Sequence, residues 1–214
     1  MVDATQIVLI LVAYLLGSIP TAVWVGKLFY SIDIREHGSG NAGATNTMRI
    51  LGPKAGIPVL IVDVLKGFLA VQLIHFSPLL SVAETTGLNF KIALCVAALI
   101  GHIFPVFVGF RGGKGVATLL GGVIAISSIS AFTAVAVFVL VLFIFRYVSL
   151  ASMCAGLSFP FSVLLFLDKP PVFLLIFAVF VAALLIITHK KNIVRLINRE
   201  ESRFDPFSKA KTAK

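Results

Sequence analysis

Three segments of this chain combine glycine, small hydrogen-bonding side chains and fixed positive charge. The first reads Gly38-Ser39-Gly40-Asn41-Ala42-Gly43-Ala44-Thr45-Asn46, with Arg35, Arg49 and Lys54 close by. Glycines let successive backbone N–H groups converge on an anion, and Ser, Thr and Asn side chains add hydrogen bonds. Such a loop suits a phosphate. No Gly-Lys-Ser/Thr closes it, so it is not a Walker A loop. The second reads Phe110-Arg111-Gly112-Gly113-Lys114-Gly115-Val116-Ala117-Thr118 and opens a predicted helix. A helix N-terminus offers unpaired N–H groups and a positive dipole end to an anion, and Lys114 adds a full charge. The third reads His189-Lys190-Lys191-Asn192-Ile193-Val194-Arg195-Leu196. There His189, Asn192 and Arg195 or Arg199 recur on one side of a predicted helix leaving an apolar run. Simpler readings stand beside these: a flexible linker, a tight turn with flanking charge, and a basic membrane anchor.

Three further residues sit inside apolar runs. Asp63 and Lys66 lie three residues apart and can pair, which lowers the cost of burying both. They form either a structural ion pair or a support for the site. His102 is either a buried, hydrogen-bonded residue or part of that site. No Gly-x-Ser-x-Gly elbow is present, which argues against a serine hydrolase. None of the four histidines is followed by Asp five positions later, so the signature of thioester-using acyltransferases is missing. No cluster has metal-ligand spacing, and neither a metal nor a cofactor is expected. The two cysteines, Cys95 and Cys154, lie in apolar runs and read as small buried hydrophobes rather than a disulfide.

The elements that must position these residues are hydrophobic. Of 214 residues, 59% are hydrophobic and only 13% charged, and the mean hydropathy is +1.06. Apolar runs cover residues 7–30, 57–76, 92–110, 116–145, 148–167 and 172–188. A helix needs about 20 residues to cross a bilayer, so five runs fit one span each. The run 116–145 would make roughly 45 Å of helix, and its Ser127-Ser128-Ile129-Ser130 predicts a break at 127–130. The net charge of +9 comes from 18 Lys and Arg against 9 Asp and Glu. These basic residues concentrate in 27–54, 111–114 and 190–214, flanking apolar runs, which points to membrane orientation rather than nucleic acid. The positive-inside rule then predicts seven transmembrane helices, with the N-terminus outside and the C-terminus inside. The fold expected is an all-α polytopic membrane protein with a single domain over 1–214. Its glycine-rich loops (31–54 and 110–116) and basic tail (189–214) share the cytoplasmic side. Convergence on one face favours an enzyme over a transporter of phosphate or an organophosphate, which would place polar sites at the midplane.

Several motifs occur in one order: Gly17-Ser18-Ile19-Pro20, the loop 38–46, Asp-x-x-Lys-Gly from Asp63, Gly-His-x-Phe-Pro from Gly101, Gly-Gly-Lys-Gly-Val-Ala-Thr from Gly112, and His-x-x-Asn-Ile-x-Arg-Leu from His189. In this the chain resembles the acyl-phosphate:glycerol-3-phosphate acyltransferases of bacterial inner membranes. The resemblance implies a seven-helix fold and acyl transfer from acyl phosphate to the 1-position of glycerol 3-phosphate, giving lysophosphatidic acid and phosphate. It implies Ser39, Arg49 and Lys114 as phosphate ligands, within a substrate-binding set of Gly40, Asn41, Gly43, Thr45, Asn46, Gly112 and Gly113. His189 and Asn192 would stand near the reacting glycerol, with Asp63, Lys66, His102 and Arg195 in support. Partners would be the two substrates, the bilayer and the enzyme that supplies acyl phosphate. One departure is visible. The family pattern Arg-Leu-x-x-Gly-x-Glu continues here with Arg199 at the glycine position, while Glu201 matches. Either His189 or a substrate phosphate would take the hydroxyl proton.

Overall fold

A computed structural model describes residues 3–81 and 84–204, and every regular element among them is helical. Residues 205–214 of the basic tail lie outside the described residues. Two compact units divide the chain near residue 126.

The first unit begins with α1 (Ala4–Gly17) and α2 (Thr21–Tyr30). The sequence reading expects one span over 7–30, and the two segments that make it bend by 41°. Pro20 is the cause: it lacks an N–H, and it disfavours helical geometry at the residue before it. Next come α3 (Ala44–Leu51), α4 (Pro53–Gln72), α5 (Glu84–Ile103) and α6 (Val116–Ile126). Helix α5 starts upstream of the apolar run at 92 and stops before Pro105. Small residues let these helices approach closely. A Cβ on Gly67 of α4 would run into the carbonyl of Thr118 on α6, and one on Gly121 of α6 into that of Val64 on α4. Association inside a bilayer gains little from the hydrophobic effect, so contact of this closeness carries the packing. A core of Leu9, Ala13, Ala70, Ile74, Leu94 and Ala98 joins α1, α4 and α5.

The helix is interrupted at Ser127, whose backbone is extended (φ −149°, ψ 91°). The break therefore falls inside the expected 127–130. The second unit holds α7 (Ser128–Phe145), α8 (Val148–Phe166), α9 (Val172–Thr188) and α10 (Lys190–Ile197). Helix α7 ends at Arg146, a left-handed residue whose N–H caps the Leu142 carbonyl. Phe159 of α8 meets Phe177 of α9 edge-on, 6.0 Å between ring centroids. Hydroxyls of Ser152 and Ser162 donate to carbonyls of their own helix, so they need no water at membrane depth.

Four helices are long and apolar enough to cross a membrane, or six if each bent pair (α1 with α2, α9 with α10) counts as one span. Exposed side chains such as Phe143 (84%), Leu165 (76%) and Leu28 (75%) suit contact with acyl chains. The chain is an all-helical integral membrane protein, as its composition requires.

Candidate active site

The loop at 38–46 is built from its own backbone outward. Asn46 is buried at the first turn of α3. Its Nδ2 donates to the carbonyls of Ile34 (3.0 Å) and His37 (2.9 Å), and its Oδ1 accepts the Ser39 N–H (2.9 Å). Asn46 thus folds the loop with every side-chain atom it has. Thr47, also buried, donates to the Gly43 carbonyl at 3.1 Å. Arg49 differs: half-buried in the last turn of α3, its side chain makes no hydrogen bond or ion pair among the described residues. Arg35 is the opposite case. Its guanidinium grips Asp33 through Nε (2.9 Å) and Nη2 (2.7 Å), and Nη1 donates to the carbonyls of Val108 (2.9 Å) and Arg111 (3.2 Å). That pairing holds the Asp33 carboxyl well below the usual carboxylate range, against partial burial.

The second loop hangs from the end of α5. The N–H groups of Gly112 and Gly113 donate to the carbonyls of Ile103 (3.1 Å) and His102 (3.2 Å). Gly113 must be glycine: a Cβ there would collide with the His102 ring and come within 2.8 Å of the Ala42 carbonyl. The two glycine-rich loops therefore meet at Ala42 and Gly113. Lys114, half-buried, is followed by Gly115, whose left-handed φ of 80° turns the chain into α6. The first N–H groups of α6 follow directly after Lys114, and a helix leaves these without intrahelical partners.

Beneath the loops lies a polar cluster sealed from solvent. Asp63 and Lys66 are 2% and 4% exposed and pair at 2.7 Å. Lys66 also donates to the Ile19 carbonyl (2.9 Å), and Thr21 donates to Asp63 (3.1 Å). Both acceptor and donor lie where α1 breaks into α2, so the cluster fastens that bend. His102 Nδ1 stands 3.9 Å from the same Asp63 oxygen and 3.0 Å from the Thr118 hydroxyl of α6. A small cavity lined by Thr21, Asp63, Lys66, His102, Gly112 and Gly113 opens between this cluster and the second loop. Sequence reading singles out Asp63, Lys66 and His102, misses Thr21, and includes Thr118 in a motif without giving it a role. A hydroxyl residue near a helix break or a Gly-rich turn is the only signal either one gives.

The second unit carries the third segment. His189 is not on the emerging helix, as its spacing suggests. It is buried at the junction of α9 and α10, which bend there by 58°. Its Nδ1 lies 2.7 Å from the Leu185 carbonyl. A carbonyl only accepts, so Nδ1 carries the hydrogen and the lone pair of a neutral ring is on Nε2. Asn192 Nδ2 donates to Glu201 Oε1 (2.7 Å), and so does the Ser149 hydroxyl (2.8 Å). Glu201 thus holds Asn192, a role that spacing alone does not reveal. Arg195 contributes through its backbone: its carbonyl accepts the N–H groups of Glu200 and Glu201. Arg199, at the expected glycine position, has φ +60°. The turn demands a left-handed residue, and arginine adopts that conformation.

Fold and loops together define a class: helical membrane proteins with two glycine-rich, basic loops packed against each other. The family profile described as glycerol-3-phosphate acyltransferase matches residues 7–199. A glycerol-3-phosphate acyltransferase of Streptococcus equi subsp. zooepidemicus strain MGCS10565 is 45% identical over 202 residues, covering 92% of this chain and 91% of the relative. One from Chlorobium phaeobacteroides strain BS1 is 38% identical over 226 residues, covering 93% and 96%. Among solved structures, PlsY (YgiH), an integral membrane glycerol 3-phosphate acyltransferase, in its glycerol 3-phosphate form superposes with a TM-score of 0.83. It is 40% identical and the match covers 94% of this chain and 96% of that one. Its lysophosphatidic acid form gives 0.80 at 39% identity. The chain belongs to the glycerol-3-phosphate acyltransferase family. It is an acyltransferase, and the transporter reading falls.

Proposed function

We propose that this enzyme transfers a fatty acyl group from acyl phosphate to the 1-hydroxyl of glycerol 3-phosphate. The hydroxyl oxygen attacks the acyl carbon, the bond from that carbon to the phosphate oxygen breaks, and lysophosphatidic acid and inorganic phosphate leave. The observation that carries this is the meeting of two glycine-rich, basic loops at Ala42 and Gly113, directly before the N-terminus of α6. Both substrates bear phosphate, so two such loops match two phosphates. A mixed anhydride is already activated, which leaves positioning and charge stabilisation to the protein. In this reading Ser39, Arg49, Lys114 and the first N–H groups of α6 bind phosphate, with Asn41 and Thr45 adding hydrogen bonds, while Gly40, Gly43, Gly112 and Gly113 shape the loops that bring them to it. Asn46, Asp63, Lys66 and His102 keep these groups in place, and the Arg195 carbonyl, which accepts the Glu201 N–H, supports the turn that holds Asn192. His189 and Asn192 orient the glycerol, and a substrate phosphate oxygen takes the proton.

The proposed topology has seven crossings, with the N-terminus outside, the C-terminus inside and the active face cytoplasmic in a bacterial inner membrane. Basic residues at 27–54, 111–114 and 190–214 support that orientation. Helix α6 is the short crossing, at roughly 16 Å. None of its residues is exposed, and non-helical backbone is tolerated at membrane depth where protein surrounds it.

The deciding experiment incubates purified protein in detergent with glycerol 3-phosphate and, in parallel, acyl phosphate, acyl-CoA or acyl carrier protein. Equal release of lysophosphatidic acid and phosphate, with acyl phosphate alone as donor, is the result expected. Turnover with a thioester and none with acyl phosphate would overturn the donor assignment. A cysteine placed at Lys214 that reacts only from the periplasmic side would overturn the topology.

A further inference from the structure

Arg35 looks from its position like one more phosphate ligand, since it stands three residues before the first glycine-rich loop. The structure engages it otherwise. Its three guanidinium nitrogens all donate to protein acceptors: two to Asp33, and Nη1 to the carbonyls of Val108 and Arg111. Asp33 is fixed in turn by the Arg35 backbone N–H at 3.1 Å and by Lys27 at 3.3 Å. The two carbonyls flank Gly109 and Phe110, both left-handed at φ 71° and 59°. Arg111 immediately precedes Gly112-Gly113-Lys114. One guanidinium therefore joins the turn that begins the first loop to the residue that begins the second. The loops also meet at Ala42 against Gly113, where no backbone hydrogen bond joins the two residues among the described residues.

We propose that Arg35 is a positioning residue, a clamp with Asp33 that sets the spacing between the two phosphate-binding loops without touching phosphate itself. The proposal rests on reading those loops as the phosphate site. A planar, five-donor fork fits two carbonyls and a bidentate carboxylate at once, and a lysine cannot reproduce that set.

The clamp and a direct ligand respond differently to loss of Asp33. If Arg35 bound phosphate, removing the competing carboxylate would free the guanidinium, and the KM for a phosphorylated substrate would fall or stay unchanged. If Arg35 is a clamp, Asp33→Ala lets the guanidinium swing away and acts as Arg35→Ala does. Steady-state kinetics of Asp33→Ala, Arg35→Ala, Arg35→Lys and the double variant, with each substrate varied in turn, separate the two.

We expect each single variant to lose about tenfold or more in kcat/KM for both substrates, from lost charge-assisted hydrogen bonds. The double variant should fall no further than the worse single, and Arg35→Lys should not rescue. A melting temperature recorded on each preparation distinguishes local misplacement from unfolding. Should the Arg35 variants fail to fold, Asp33→Asn with the parent Arg35 carries the test alone. Its readout is protection of Lys114 from an amine-reactive label by inorganic phosphate: weakened protection supports the clamp, and unchanged or stronger protection overturns it. An effect of Arg35→Ala on one substrate only, or a lowered KM in Asp33→Ala, also overturns it. Lys114→Ala is the control for the underlying reading. If that variant keeps parent kinetics, the phosphate-loop assignment fails. If it is impaired while Arg35→Ala is not, the clamp alone fails.

Discussion

Replacing Lys66 with methionine removes the ammonium from the buried cluster beneath the glycine-rich loops and keeps most of the side-chain volume. Asp63, 2% exposed, would keep only the Thr21 hydroxyl at 3.1 Å as a close donor. The Ile19 carbonyl, which accepts from Lys66 at 2.9 Å, would lose that donor at the bend between α1 and α2. Stranding one member of a buried ion pair costs about 3–5 kcal/mol. For a chain of this size each kcal/mol moves the midpoint by about 2–4 °C, so the melting temperature should drop by roughly 6–20 °C. The double variant Asp63→Asn with Lys66→Met strands no charge and leaves an acceptor for Thr21, so it should recover at least half of the loss. Cys95 is buried in α5, so a thiol-reactive dye reports unfolding of the detergent-solubilised protein directly. A Lys66→Met midpoint within about 2 °C of the parent would refute the reasoning, since a stranded carboxylate cannot be that cheap in a dry site. A double variant as unstable as the single would place the loss elsewhere than on the carboxylate.

Arg199→Gly relieves a left-handed arginine and should raise stability by about 1 kcal/mol, read as a gain of about 2–4 °C in the same melt; an unchanged or lower midpoint contradicts it. Lys114→Ala should cost at least tenfold in kcat/KM, on the order of 1.5–3 kcal/mol for a charge-assisted bond, with weaker inhibition by inorganic phosphate. His189→Asn should keep measurable activity, and its rate should still fall on acidification through about pH 6, where phosphate esters take their second proton. Loss of that acid limb together with about a thousandfold of rate would assign the proton to His189.

What the sequence makes legible here is whatever is written locally. The break at Ser127 follows from a run too long for one crossing, and the Asp63–Lys66 pair from a spacing of three on a helix. Pro20 carried the same kind of local signal for the bend between α1 and α2, yet the hydrophobicity of 7–30 ran straight through it. The site is legible by residue type and less so by role. Arg35 and Arg49 look alike in the chain. In the fold one is saturated by protein acceptors and the other is bonded to none among the described residues. Asn46 belongs to the same polar loop as Ser39, but three hydrogen bonds commit its side chain to the loop itself. Thr21 escapes notice, and Thr118 and Glu201 are seen only as motif positions, because their partners are 42, 16 and 9 residues away. Side-chain pairings across separate elements leave no periodicity behind.

Helix α6 has no exposed residue, whereas α7 presents most of its length outward. Helices that touch lipid must tilt or stretch the bilayer when its thickness changes. An element wrapped in protein is mechanically decoupled from that adjustment. The N-terminus of α6, and with it Lys114, is therefore referenced to the α4 backbone through Gly67 and Gly121 rather than to the lipid around it. An enzyme whose own product feeds membrane synthesis can keep the geometry of its proposed anion site constant while the composition, and so the thickness, of that membrane varies.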